Sequence, residues 1–170
     1  MKNISLKDQK GFTLVELLIV IAIIAILAAI VYVALDPGTR FADARDARRA
    51  ADIVGMLHAA KIDQIDNGGD YLADIEALTG NEVYMIGTAV AGCDDQNTVC
   101  DTNVDSDTHC VDLTDLATDG YIGEVPISPD GDGTWTAAVT GYTLEVRGGS
   151  NVLTIRSCES ENRNEIKATR

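Results

Sequence analysis

The residues able to do chemistry in this 170-residue chain are few, and they are grouped. Glu16 is a lone carboxylate at the head of an uncharged run that extends to Leu35. Cys93, Cys100, Cys110 and Cys158 all lie well downstream of that run, and aspartates crowd the same region. An ionised carboxylate in hydrocarbon costs at least a few kcal/mol unless it is paired. Glu16 therefore requires a positive partner, or else it reaches back to the membrane surface.

The cysteines show no Cys-x-x-Cys pair, and the only histidines are His58 and His109, so zinc-site spacing is missing. Downstream of a membrane span, four thiols read as two disulfides in an oxidising compartment. Of the three connectivities, Cys93–Cys100 with Cys110–Cys158 is preferred: the first closes a short flexible loop and the second ties the irregular region to the chain's end. Asp101, Asn103, Asp105, Asp107 and Asp112 roughly follow the oxygen-ligand spacing of an EF-hand, with Ser106 at the glycine position. Calcium is the candidate ligand there, and a solvated acidic loop is the alternative. No nucleophile–base constellation, phosphate loop or metalloprotease helix is present, so an enzyme is not expected. His58 reads as a surface or interface side chain. A net charge of −14 disfavours nucleic acid and anionic lipid as partners of the polar part.

These groups depend on a chain of two materials. Leu17 to Leu35 is uncharged over 19 residues, about 28 Å as a helix, enough to cross a bilayer. In a secretory signal the apolar core precedes the cleavage site and is discarded. Here the order is inverted: Lys2, Lys7 and Lys10 come first, Gly11 follows, and the apolar run begins at Phe12. Cleavage after Gly11 would retain the membrane helix.

The residues Lys10-Gly11-Phe12-Thr13-Leu14-Val15-Glu16-Leu17 resemble the processing site of the type IV prepilin and type II secretion pseudopilin families. The resemblance implies that a prepilin peptidase cuts after Gly11 on the cytoplasmic side and methylates the new amine of Phe12. It implies that Glu16 pairs with such an amine on a neighbouring copy and sets register during assembly. It also places the leader in the cytoplasm, a point that Arg40, Arg45, Arg48 and Arg49 past the span leave undecided on charge alone.

Beyond the span, Asp36-Pro37-Gly38 predicts a kink or melted turn. Phe41, Ala44, Ala47, Ala51, Val54, Leu57, Lys61 and Ile65 then recur at helical spacing, with Ile53, Met56, Ala60 and Gln64 beside them, until Asn67-Gly68-Gly69 stops the helix. Strands are expected at Val83 to Ile86, Trp135 to Val139, Tyr142 to Val146 and Asn151 to Arg156, and a short helix near Asp112 to Leu116. The tail from Glu159 to Arg170 reads as frayed. Leucine pairs, Gly120-Tyr121 and Pro126-x-x-Pro129 resemble, more weakly, the head of major pseudopilins, and that resemblance marks Asp130 and Asp132 as a second candidate calcium loop.

The expected fold is therefore α+β and type IV pilin-like, a long N-terminal helix packed on a small antiparallel sheet. The expected divisions are a leader at 1–11, a transmembrane and assembly helix at 12–35, an amphipathic half-spine at 36–67 and a head at 68–170. The expected function is a structural subunit of a pilus-like filament, which begins as a single-pass membrane protein with its head outside the cytoplasm and ends in an extracellular or periplasmic filament. Its partners would be copies of itself, a prepilin peptidase and an inner-membrane assembly platform. A pseudopilin driving type II protein secretion and a membrane-tethered calcium-binding module that never polymerises are the competing readings.

Overall fold

The computed structural model describes residues 11–170, so the leader lysines lie outside the described residues. The chain divides into two compact units, Met1–Arg40 and Phe41–Arg170.

In the first unit, helix α1 (Leu14–Leu35) contains neither glycine nor proline, and its run of Ile, Leu, Val and Ala carries no charge after Glu16. It ends at Asp36, which adopts a left-handed φ of 38°. Helix α2 (Pro37–Asp66) begins one residue later. Proline suits that place, because its missing N–H is an orphan in any first turn and its fixed φ is already helical. Asp36 secures the start: its carboxylate accepts the Thr39 hydroxyl at 2.6 Å and its carbonyl accepts Arg40 N–H at 3.3 Å. The expected kink is thus an interruption at Asp36.

In the second unit, α2 presents Ile53, Met56, Leu57 and Ala60 to a core completed by Tyr84, Tyr142, Leu144, Leu153 and Ile155. Burying one such aliphatic side chain contributes about 1.5–3 kcal/mol. Gly68 and Gly69, at φ 78° and 114°, close the helix, with Gly69 N–H donating to the Gln64 carbonyl at 2.8 Å. Among the described residues the sheet has four antiparallel strands in sequence order, β1 (Val83–Met85), β2 (Tyr142–Val146), β3 (Leu153–Ser157) and β4 (Lys167–Thr169). Strand β3 alternates, with Leu153, Ile155 and Ser157 buried. Short helices α3 (Ala73–Glu76) and α4 (Thr114–Thr118) pack Ile75 and Leu116 into the same core.

Three expectations fail here. The face read on α2 fails in part: Ile53, Met56, Leu57 and Ala60 do turn inward, joined by Ala42, Asp46, Arg49, Ala59 and Asp63, whereas Phe41, Val54 and Ile65 are exposed. Trp135 to Val139 is a tight turn closed by reciprocal hydrogen bonds between Thr136 and Val139, at 2.9 and 3.2 Å. The Trp135 ring fills a slot that only glycines leave open: a Cβ on Gly133 would lie 2.3 Å from it. The fourth strand comes instead from the supposedly frayed tail, as β4.

Candidate functional site

The N-terminal site is built on the first turn of α1. Gly11 and Phe12 are exposed and precede the helix, so the peptide bond between them lies in open chain. Thr13 is the N-cap: its hydroxyl accepts Glu16 N–H at 3.2 Å, while the Glu16 carboxylate accepts Thr13 N–H and the Thr13 hydroxyl, both at 2.8 Å. This reciprocal pair is a capping box. Glu16 therefore has local partners before any neighbouring copy arrives. Thr13 went unread in the sequence, although Thr-x-x-Glu ahead of an apolar run is the recognised signal.

Among the described residues α1 buries none of its side chains, and it is long and apolar enough to cross a membrane. Ala22, Ala25, Ala28 and Ala29 are small residues that would let another helix approach closely.

A second constellation, unread in the sequence, ties α2 to the loop after β3. Arg49 is fully buried, and its five N–H donors all find acceptors: Ser128 Oγ at 3.2 Å, Asp46 Oδ1 at 2.9 Å, Glu161 Oε1 at 2.7 Å, the Pro129 carbonyl at 3.0 Å and Glu159 Oε1 at 2.8 Å. Asp46 accepts the backbone N–H groups of Glu161 and Asn162, at 3.1 and 2.9 Å. Arg45 grips Glu161 from the rim, with Nε donating at 2.7 Å. The hydrogen bonds from Arg45, aided by Arg49, hold the Glu161 carboxyl down at about 2.

The cysteines pair as Cys93–Cys110 and Cys100–Cys158, with Cα separations of 5.5 and 4.2 Å. This overturns the expected Cys93–Cys100 and Cys110–Cys158 connectivity. Loop length alone favoured neighbours, but backbone hydrogen bonds decide who meets whom. Cys93 N–H donates to the Asp107 carbonyl at 3.0 Å, folding the loop so that Cys93 reaches Cys110. Asp101 N–H donates to the Cys158 carbonyl at 2.5 Å, which seats Cys100 at the end of β3. Met85, Val104 and Trp135 pack around the bridges.

The candidate metal ligands take separate duties. Asp105 pairs with the start of β1, exchanging 2.8 Å hydrogen bonds with Val83, and Asp101 accepts the Ser160 hydroxyl at 2.6 Å. Asn103 is exposed. Asp130 accepts Trp135 N–H at 3.2 Å. The Asp130 to Gly133 loop is held by the protein itself: Glu159 Oε2 accepts Asp132 and Gly133 N–H at 2.9 and 3.0 Å, and Glu159 Oε1 accepts the Trp135 indole at 3.0 Å. Asp101, Asp130 and Asp132 do share one concavity of about 640 Å3, together with Arg45 and Glu161. Among the described residues, the acidic trio whose oxygens lie within 4.8 Å of one another is Asp94, Asp95 and Asp107, of which only Asp107 belongs to the EF-hand-like spacing. His58 is exposed and meets Arg170 at 2.8 Å.

Residues 6–32 match the family model for the prokaryotic N-terminal methylation motif, the prepilin-type cleavage and methylation motif. No curated protein and no solved structure matches the chain. With the apolar helix, the motif fits a membrane-anchored protein of the pilin-like structural class.

Proposed function

We propose, for a chain that carries the prepilin-type cleavage and methylation motif, that it is a structural subunit of a type IV pilus-like filament. The leader is removed after Gly11, Phe12 is N-methylated, and mature subunits polymerise through α1. The observation that carries this reading is α1 itself, a 22-residue apolar helix with the processing motif at its start and no buried residue. So much apolar surface must be covered by lipid or by copies of the same helix. In the filament, Glu16 exchanges its local Thr13 hydrogen bonds for the Phe12 amine of a neighbour, and the carboxylate stays paired away from water.

The prepilin peptidase and an inner-membrane assembly platform are the partners this cycle requires. The leader is cytoplasmic and the disulfide-bearing head lies outside the cytoplasm. Mass spectrometry of the native protein should find a mature chain beginning with N-methyl-Phe12, and Met1 or a cut near Ala29 would refute processing. Electron microscopy of cells lacking the gene should show loss of long fibres. Lost secretion with no change in fibres would move the protein to the pseudopilin class, and a processed chain that stays monomeric in the membrane would refute polymerisation.

A further inference from the structure

We infer that the loop at 130–135 is built around the Glu159 carboxylate and not around a metal, so that the buried guanidinium of Arg49 is the cation of this corner of the head and calcium is not needed to order it. The resemblance to major pseudopilins points to calcium at Asp130 and Asp132, and the donor set of the loop tests that reading. A calcium loop turns several oxygens toward its centre. This loop turns N–H groups there. The consecutive backbone N–H groups of Asp132 and Gly133 donate to Glu159 Oε2 at 2.9 and 3.0 Å, and the Trp135 indole N–H donates to Glu159 Oε1 at 3.0 Å. Successive backbone N–H groups that close on one acceptor form an anion nest, the reverse of a cation cage.

The packing is made for a carboxylate in that nest. Glu159 is only 4% exposed, and a Cβ on Gly131 would lie 2.8 Å from its Oε1, so glycine is what lets the carboxylate rest against the loop. A buried charge of this kind requires an opposite charge beside it. Arg49 supplies one: its Nη2 donates to Glu159 Oε1 at 2.8 Å and to the carbonyl of Pro129, just ahead of the loop, at 3.0 Å.

The carboxylates marked for calcium do not gather. Asp130 and Asp132 are exposed, and Asp130 Oδ1 accepts the Trp135 backbone N–H at 3.2 Å. Among the described residues, the acidic trio that brings its oxygens within 4.8 Å of one another is Asp94, Asp95 and Asp107, outside this loop. Arg45 also lines the concavity that Asp101, Asp130 and Asp132 share. A divalent cation arriving at Glu159 would meet three N–H donors and a guanidinium, all of which repel it.

Trp135 is the chain's single tryptophan, and its indole is one of the nest's donors, so its emission reports on the nest directly. The test uses the full chain in detergent carrying Asp94→Asn/Asp107→Asn, which disables the exposed trio. It is stripped of metal and titrated with CaCl2 against chelator at matched ionic strength. The Trp135 emission maximum should stay where it is, and Asp130→Asn/Asp132→Asn should leave it there too. Glu159→Gln should shift the emission to the red with or without Ca2+, because the amide nitrogen carries hydrogens toward the N–H groups that the carboxylate oxygen accepted. Should Glu159→Gln fail to fold, the titrations of the parent and of Asp130→Asn/Asp132→Asn still decide. An emission maximum that moves on adding Ca2+ to the parent, or one unchanged in Glu159→Gln, overturns the inference.

Discussion

Helix α1 carries a single charge among 22 residues and buries nothing, whereas α2, far more polar, buries Asp46, Arg49 and Asp63 outright. Hydrophobicity alone would have assigned the two helices the other way round. Inside the head, Arg49 enters with a complete set of partners, because each of its donors is met. Helix α1 has apolar surface in quantity, and among the described residues none of it is buried. One helix is thus finished by intramolecular pairing, and the other keeps its apolar surface uncovered within the described residues. Stability of the head and assembly of the subunit should therefore separate experimentally.

The strongest way to break that comparison is Arg49→Met. It strands Asp46, Glu159 and Glu161 around a vacated buried site. Breaking a buried ion pair from one side costs about 3–5 kcal/mol, so denaturant unfolding should show a loss of that size. A loss below about 1 kcal/mol would mean that apolar packing, and not pairing, holds α2 to the head.

The disulfides come next. Cys100–Cys158 spans 58 residues and Cys93–Cys110 spans 17, for which chain entropy gives about 4 and about 3 kcal/mol respectively, as a model-dependent figure. Replacing Cys100 and Cys158 by serine should therefore lower the melting temperature more than replacing Cys93 and Cys110. Digestion with an Asp-directed protease under non-reducing conditions should recover the two crossed pairs, and a Cys93–Cys100 product would overturn the assignment.

A smaller effect is the acid response of the head. Glu161 titrates at about 2 in the fold against an ordinary 4.5. Its contribution is complete above pH 4.5 and is lost as the pH falls toward 2, because the unfolded chain takes up the proton first. Glu161→Gln should lower the melting temperature at neutral pH and flatten its decline between pH 4.5 and 2. An unchanged slope would show that other carboxylates govern the acid limb.

The parts legible in the sequence are those whose signal is local. The apolar run, the Gly11-Phe12 junction with Glu16, the stop at Gly68-Gly69 and the alternation in β3 each lie within a few residues of one another. Arg49 was not legible as a core residue, because a lone arginine on a helix is almost always solvated and its five acceptors come from segments up to 112 residues away. The same distance hid β4: Lys167–Thr169 is a strand only because β3 offers an edge. The cysteine pairing failed for a related reason, since loop closure weighs chain length while the backbone bonds of Cys93 and Asp101 choose the neighbours.

The last and smallest expected effect on the head is that of Glu16, and its smallness is the point. Glu16 lies in the first unit, so Glu16→Ala should leave the head's unfolding free energy within about 0.5 kcal/mol of wild type, as for a residue remote from any core. Assembly should respond quite differently, because in a membrane an unpaired charge on either partner is costly. Glu16 has one observed role, the Thr13 capping box, and one proposed role, pairing with the Phe12 amine of a neighbour, and glutamine separates them. Glutamine at this position still serves a capping box but carries no charge. If the charge drives subunit addition, Glu16→Gln should be processed normally yet build filaments as poorly as Glu16→Ala, with Glu16→Asp intermediate. Filament growth at the wild-type rate in Glu16→Gln, followed by light scattering or electron microscopy, would show instead that an ordered first turn of α1 is what assembly needs.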